Sequence, residues 1–341
     1  MTSDTRVIAG VQYVTGYAYD SSGRLSGMTY PGGRTVSYTF DALGRVSQID
    51  TTKNSQSQTL VSGVAYQPFG GVKGFTFGNG QVYTRTYDQD GRISAYGTGA
   101  QWSFQIGYDA ASRIESIVDL GTPQYSNSYS YDSLDRLTGA LGAASDFGYT
   151  YDAVGNRTSK RAGTQTDTYT YSTTSNRLSS ITPAAAPVRS FVFDANGSTT
   201  ADGNNTYTYD VRGRMVNAVG PVGTADFQVN ALGQRVRKSS SLGDTVFHYD
   251  TRGHLIAETD PAGALKREIF YLGDIPVATT VDTQTYFIEV DHLDTPRLVA
   301  DAAGTTVWKW DQQEPFGDNV ANENPSGLGA FDLPLRLPGQ R

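Results

Sequence analysis

Tyr17-Ala18-Tyr19-Asp20-Ser21-Ser22-Gly23-Arg24-Leu25 decides the fold, because the chain spells this unit repeatedly. An aromatic residue, an Asp, two variable residues, a Gly or its substitute, a basic residue and an aliphatic one recur. They do so at Phe40-Asp41 to Val46, Tyr87-Asp88 to Ile93, Tyr108-Asp109 to Ile114, Tyr131-Asp132 to Leu137, Tyr209-Asp210 to Met215 and Tyr249-Asp250 to Leu255. Weaker copies begin at Tyr66, Tyr151, Tyr171, Phe193 and Val229. Twelve starts lie between positions 19 and 249, a mean spacing of about 21 residues. A fixed period of that size marks an array of supersecondary units rather than a set of unrelated domains.

The chemistry of one unit predicts its shape. Asp first and Gly fourth suit a type I turn whose Asp side chain bonds the backbone ahead of it. The Gly takes the left-handed conformation and forms a bulge as the next strand begins. Each unit is therefore a β-hairpin. The bulge sets the aromatic at position i against the aliphatic at i+6, so Tyr19 meets Leu25, Tyr87 meets Ile93 and Tyr131 meets Leu137. Alternation places the Asp and Arg of each unit on the opposite face, as exposed pairs of small energetic weight. The residue two before the aromatic is often a second ring, as in Tyr17 with Tyr19, Tyr38 with Phe40 and Tyr149 with Tyr151. Stacked unit on unit, these rings form the apolar layer that no single hairpin could bury. Twelve hairpins imply about 24 strands. The strand edges at the ends of such a sheet are sticky unless the C-terminal segment folds over one of them.

Departures from the pattern have local reasons. Asp135 and Ser112 stand where Gly is expected and must take a left-handed backbone. Asn176 can take that position itself in the one-longer loop after Tyr171. Thr182 to Pro187, two prolines around three alanines, reads as a loop.

Composition supports an all-β chain. Of 34 acidic residues 28 are Asp, and 38 Gly and 22 Tyr in 341 residues favour turns and strands over helices. The absence of Cys rules out a disulfide framework, a thiolate nucleophile and thiolate-ligated metal centres. A formal charge of −7 argues against nucleic acid as a partner. No apolar run approaches the ~20 residues of a membrane span, and the first ten residues lack the order of a signal peptide.

Few residues invite a chemical reading. His248, Asp250 and His254 flank one turn and share a face in the bulged register, the minimum for a metal site. Against that, Asp250 is the turn residue of the repeat and His254 replaces its usual Arg, so a turn is the preferred reading. His292, between Asp291 and Leu293, lacks the Gly-x-Ser-x-Gly elbow of a hydrolase. Trp308 and Trp310 at spacing two are read as packing residues. The glycines Gly70-Gly71 and Gly78-Asn79-Gly80 precede no helix and make no phosphate loop. Catalytic, cofactor-binding and metal-binding residues are each predicted to be none.

Tyr-Asp-x-x-Gly-Arg-Leu at a period near twenty resembles the YD repeats of the RHS family, with the related teneurins and toxin-complex C components. The likeness extends from about Tyr17 onward. It is sharpened by Phe270-Tyr271-Leu272-Gly273-Asp274-Ile275-Pro276-Val277-Ala278, by Asp291-His292-Leu293-Asp294-Thr295-Pro296-Arg297, and by Gly304, Trp308, Pro315-Phe316-Gly317 and Leu335-Arg336-Leu337-Pro338-Gly339-Gln340. These resemble the start of the RHS-associated core, with Asp294 where the family usually has Gly. The resemblance implies a single-layer sheet spiralling into a hollow shell around a polymorphic C-terminal toxin. It also implies an aspartyl-protease-like site at an Asp-Pro-x-Gly-Leu motif, which this chain does not contain; Asp260-Pro261 is followed by Ala262-Gly263-Ala264.

The expected organisation is an N-terminal segment, 1–16, belonging to a preceding repeat; YD/RHS repeats over 17–266; and the first part of an RHS-associated core over 267–341. The expected fold is all-β, with tandem hairpins of about 20 residues in a single-layer curved sheet. The expected role is a structural shell segment rather than an enzyme, without cofactor, its partners a C-terminal toxin or the remaining shell chain. The resemblance implies a secreted or cell-surface protein exported by a dedicated system. The alternative is a β-repeat module that binds carbohydrate or a cell-surface partner.

Overall fold

The computed structural model describes residues 2–68, 70–100 and 102–337. These residues form 31 strands and a single 3₁₀ turn, Pro123–Tyr125. The strands lie in two sheets of 18 and 13, and each registered pair joins antiparallel strands adjacent in sequence, from Ser3–Ile8 with Val11–Tyr19 to Pro296–Ala300 with Thr306–Lys309. The chain is thus a run of hairpins, as the repeat implies. Part of the surplus over 24 strands has a plain origin. The same turn recurs at Asp260, Asp291 and Asp301, after Thr259, Val290 and Ala300 rather than after a ring.

The turn has the geometry read from the sequence. Asp20 N–H donates to the Arg24 carbonyl at 2.9 Å, and Gly23 N–H donates to the Asp20 carbonyl at 3.0 Å. The ladder slips between Ala18 and Tyr19, and Tyr19 then faces Leu25. The same slip sets Phe40 against Val46, Tyr87 against Ile93, Tyr131 against Leu137 and Tyr209 against Met215. Gly23 has φ +76°, and Ser112, Asp135 and Asp294 take φ +65°, +61° and +62° at the equivalent place. Asn176 does not. The longer loop closes through Ser172 N–H to the Arg177 carbonyl at 2.9 Å, with Arg177 N–H on Ser175 Oγ, so no left-handed residue is needed there.

The chain divides into two compact units, Met1–Tyr108 with Ser116–Ser126 and Phe247–Arg341, and Asp109–Glu115 with Asn127–Val246. In the first unit, ring-bearing strands of the N-terminal hairpins pack on those of the C-terminal hairpins. Tyr30 stacks on Phe270 with centroids 5.4 Å apart, Phe77 meets Phe287 at 5.8 Å, and Tyr83 Oη–H donates to the Val290 carbonyl at 3.0 Å. Gly78 sits at this contact because a Cβ there would lie 2.0 Å from the Thr59 carbonyl and against the Phe287 ring. Beyond the last strand, Thr306–Lys309, the described residues form no regular strand but are anchored. Lys309 and Asn322 exchange backbone hydrogen bonds of 3.0 and 2.7 Å, closing the edge of that strand, and Phe331, Leu333 and Leu335 are buried. The strand Leu265–Leu272 is paired on both sides and runs without interruption across position 266.

In the second unit the ring-bearing face is only partly covered. Tyr129, Phe147, Tyr169 and Phe227 are half-buried, and among its described apolar residues only Ala140, Tyr149, Val236 and Val246 are buried. That face also carries cations, since Lys160 lies opposite Tyr149 and Lys238 opposite Phe227.

Gly213, φ +74°, has open space around its Cα, so a substitution there tests the backbone alone. Gly213→Val is expected to destabilise the protein by about 1–2 kcal/mol through the left-handed strain of a β-branched residue. Arg212→Ala, at a variable turn position, is expected to be nearly neutral. Denaturant midpoints measure both, and equal effects would contradict the bulged hairpin.

Candidate functional surface

The working surface of each repeat begins with its Asp. One carboxylate oxygen of Asp20 accepts the backbone N–H groups of Ser22 and Arg24, each at 2.9 Å, and the other accepts Arg24 Nε–H at 2.7 Å. Asp41, Asp88, Asp109, Asp132 and Asp210 repeat the arrangement with Arg45, Arg92, Arg113, Arg136 and Arg214. The guanidinium is not on a face apart from the rings, as alternation had implied. It lies over the aromatic of the next repeat: Arg24 over Phe40 at 4.4 Å, Arg45 over Tyr66 at 4.7 Å, Arg92 over Tyr108 at 4.5 Å and Arg136 over Tyr151 at 4.9 Å. The bulge supplies the reason, because it rotates the strand after the turn so that the i+5 side chain leans toward the neighbouring hairpin.

The tyrosine hydroxyls complete the link. Tyr66 Oη–H donates to the Val46 carbonyl at 2.7 Å, Tyr108 to Ile93 at 2.9 Å, Tyr131 to Ile114 at 2.7 Å, Tyr151 to Leu137 at 2.8 Å and Tyr271 to Leu255 at 3.0 Å. Each acceptor is the i+6 residue of the repeat before. The sequence reading took the rings as packing alone and missed this bond. The signal available was the preference for Tyr over Phe at a position where a ring alone would serve.

The structure parts the residues flanking the Asp250 turn. His254 Nδ1 pairs with Asp250 and its Nε2 with Asp274, both at 2.9 Å, while its ring stacks on Tyr271 at 4.5 Å. It thereby fills every contact of the Arg it replaces. His248 turns elsewhere, its Nε2 3.0 Å from Thr259 Oγ1 and its ring 4.3 Å from that of Tyr13. Burial, with Arg6 nearby, pushes His248 down to about 4. No group of three or more His, Asp or Glu side chains among the described residues is placed to hold a metal ion.

His292 is half-buried, its enclosed Nδ1 finds no hydrogen-bond partner, and loss of solvent around the ring lowers its pKa. The adjacent Asp291, fully buried, accepts the turn N–H groups of Leu293 and Thr295 and Arg297 Nε–H at 2.8 Å. It acts as the Asp of a repeat turn. Trp308 and Trp310 are both buried, with Arg336 and Arg297 over their rings. The charged groups inside the first unit have no local signature in the chain. Arg34 pairs with the fully buried Glu268, Arg85 with Asp294, and Glu289 is pushed up to about 7 by burial beside Thr98. The Pro338-Gly339-Gln340 end of the C-terminal motif lies outside the described residues. No helix among the described residues is long and apolar enough to cross a membrane.

Consecutive hairpins with rings on one face and ion-paired Asp turns linking each repeat to the next define the wall of a YD-repeat shell. The family model described as Teneurin YD-shell matches residues 94–335, and one described as RHS Repeat matches residues 12–56. The chain belongs to the teneurin YD-shell family, as its motif indicated. Solved structures share the fold. A Photorhabdus luminescens Tc holotoxin pore carrying a substituted TccC3 aligns with TM-score 0.71 and 16% identity over 90% of this chain. Crystal structures of TcdB2-TccC3-Cdc42 and TcdB2-TccC3 align with TM-scores 0.71 and 0.69, each at 16% identity over 88% of this chain. The chain spans 18% of the length of each of those chains. No curated protein matches it.

Two measurements test the links between repeats. Tyr131→Phe keeps the ring under Arg113 and removes only the hydroxyl bond, with an expected loss of about 0.5–1.5 kcal/mol. Tyr19, in the first copy of the unit, has a hydroxyl that reaches no carbonyl, and Tyr19→Phe is expected to be neutral; equal denaturant shifts would oppose the bond. The second concerns acid. The turn N–H of Arg24, Arg45 and Arg113 holds Asp20, Asp41 and Asp109 below the usual carboxylate range, and Arg214 pulls Asp210 to about 2. Because the folded values are depressed, this stability is complete above the unfolded value of about 3.9 and disappears as pH falls through the folded ones. The melting temperature followed by circular dichroism is expected to hold steady down to about pH 4 and fall steeply toward about pH 2. A flat profile across that window would refute the assignment.

Proposed function

We propose that this chain is a wall segment of an RHS-type shell that encloses or scaffolds a toxin polypeptide, in a secreted or cell-surface protein of bacterial type. The YD-shell match over residues 94–335, on a fold built of consecutive hairpins, carries the reading. The similarity to structures containing TccC3 agrees with it at the level of fold. A wall role also suits the chemistry of the repeats. Their carboxylates are engaged by turn N–H groups and guanidinium groups, and their hydroxyls by neighbouring carbonyls, which leaves the regular polar groups committed to holding the sheet together. The half-buried rings of the second unit, interleaved with Lys160 and Lys238, form a surface on which an unfolded polypeptide can rest without a specific site.

Amine cross-linking tests the reading. With a polypeptide of toxin size joined after residue 341, links are expected to Lys160 and Lys238, which share a face with the rings. Lys73, next to the ring-face residue Val72 and exposed on the other side, is expected to be spared. Equal linking to all three would oppose enclosure. Selective binding on a glycan array without such asymmetry would favour the carbohydrate-binding alternative.

A further inference from the structure

Within the first unit, the hairpins that carry Leu25 to Val46 leave a cavity of about 220 Å³ against the turn at Asp250 and the strand Leu265–Leu272. Tyr30, Tyr38, Phe40 and Tyr271 contribute rings to its walls, and Asp250 and His254 add polar atoms to an otherwise mainly apolar lining.

The polar groups around it are nearly all committed. Tyr30 Oη–H donates to the Ile269 carbonyl and Tyr271 Oη–H to the Leu255 carbonyl, each at 3.0 Å. Asp250 accepts the backbone N–H groups of Arg252 and His254 and pairs with the His254 ring, which also reaches Asp274. Tyr38 is the exception. Its hydroxyl has only the Met28 thioether, at 3.8 Å, and a thioether is a weak acceptor. A hydroxyl donor left in an apolar wall is costly, and an incoming acceptor recovers that cost. Burial raises the Tyr38 phenol to about 12, so it stays protonated and remains a donor across the physiological range.

We propose that this cavity is a binding site for a small, neutral, flat ligand, an aromatic ring bearing one carbonyl acceptor that takes the Tyr38 hydroxyl. Four ring walls favour a flat apolar body over a flexible one. Charge at the rim sets neutrality. Asp274 is paired with Arg252 and Asp250 with the His254 ring and two turn N–H groups, so neither carboxylate stands unpaired at the rim to draw an ion. The cavity volume matches a single ring with a small substituent. The site is independent of whether the chain encloses a toxin.

The methionines supply the reporter. Met28 lines the cavity, while Met215 lies in the second unit. With methionine methyl groups labelled with ¹³C, benzamide is expected to shift the Met28 resonance with saturation and leave Met215 in place. Tyr38→Phe is expected to weaken benzamide about five-fold and to leave toluene, which has no acceptor, unchanged. Benzylamine, of similar size but cationic, is expected to bind more weakly than benzamide. Val46→Phe fills the cavity with Tyr38 intact and is expected to abolish the Met28 shift, and unchanged emission from Trp102, Trp308 and Trp310, all buried in the first unit, certifies that either variant is folded. An unmoved Met28 resonance, or equal benzamide affinity in the wild type and Tyr38→Phe, overturns the proposal.

Discussion

The structure depends on one carboxylate tying down one turn. An Asp that accepts two backbone N–H groups ahead of it holds the type I turn, and the left-handed fourth residue then forces the bulge. The bulge determines which side chain faces which, and so determines that in the regular repeats a ring meets an aliphatic residue, as Tyr19 meets Leu25 and Tyr87 meets Ile93. Other residues meet the same demand by other means. Asn230 accepts the N–H groups of Leu232 and Gln234 through its amide oxygen. At Tyr30-Pro31-Gly32-Gly33-Arg34 no carboxylate is present, yet Tyr30 N–H still reaches the Arg34 carbonyl at 2.8 Å. There Pro31 fixes the φ of the first central residue and Gly33, φ +80°, supplies the left-handed one.

The turn also couples each repeat to the next. Its Asp orients an Arg, the Arg covers the next ring, and that ring's hydroxyl returns to the carbonyl of the residue after the Arg. The loop from Asp132 through Arg136 and Tyr151 back to Leu137 contains four residues and crosses one hairpin boundary. Coupling of this kind is nearest-neighbour, so stability accumulates along the array rather than residing in one core. Phe40 keeps the ring and lacks the hydroxyl, whereas Tyr271 keeps both although its covering group is His254. The link therefore tolerates the loss of either polar half.

Legibility followed the range of the interactions. Tyr19 against Leu25 was readable because turn and bulge are encoded within seven residues, and the family motif was readable for the same reason. Asn176 was misjudged because a longer loop can close through Ser172 and Arg177 without the left-handed residue that a four-residue turn demands. The turns at Asp260, Asp291 and Asp301 escaped a search anchored on rings, although their backbone chemistry is that of Asp20. What joins Tyr30 to Ile269 or Arg34 to Glu268 could not be read at all, since those partners are more than two hundred residues apart and no local pattern points from one to the other.

Those distant bonds do what the rings cannot. Stacked rings tolerate sliding, because an offset of an ångström or two changes dispersion contact little. A repeating sheet makes the problem worse, since a shift by one repeat would set equivalent rings together again. Directional groups break that degeneracy. Tyr83 reaches the Val290 carbonyl, Arg85 reaches Asp294 and the Asp291 carbonyl, and Arg34 reaches Glu268, each satisfied in one alignment of the packed faces within the first unit. Burying such charges is expensive, and the pairs contribute little net stability compared with apolar residues of similar volume. Misalignment, however, would leave Glu268 or Arg85 buried without a partner, at a cost several-fold larger than that of a displaced ring. The buried ion pairs therefore select the register of a packing whose strength comes from the rings.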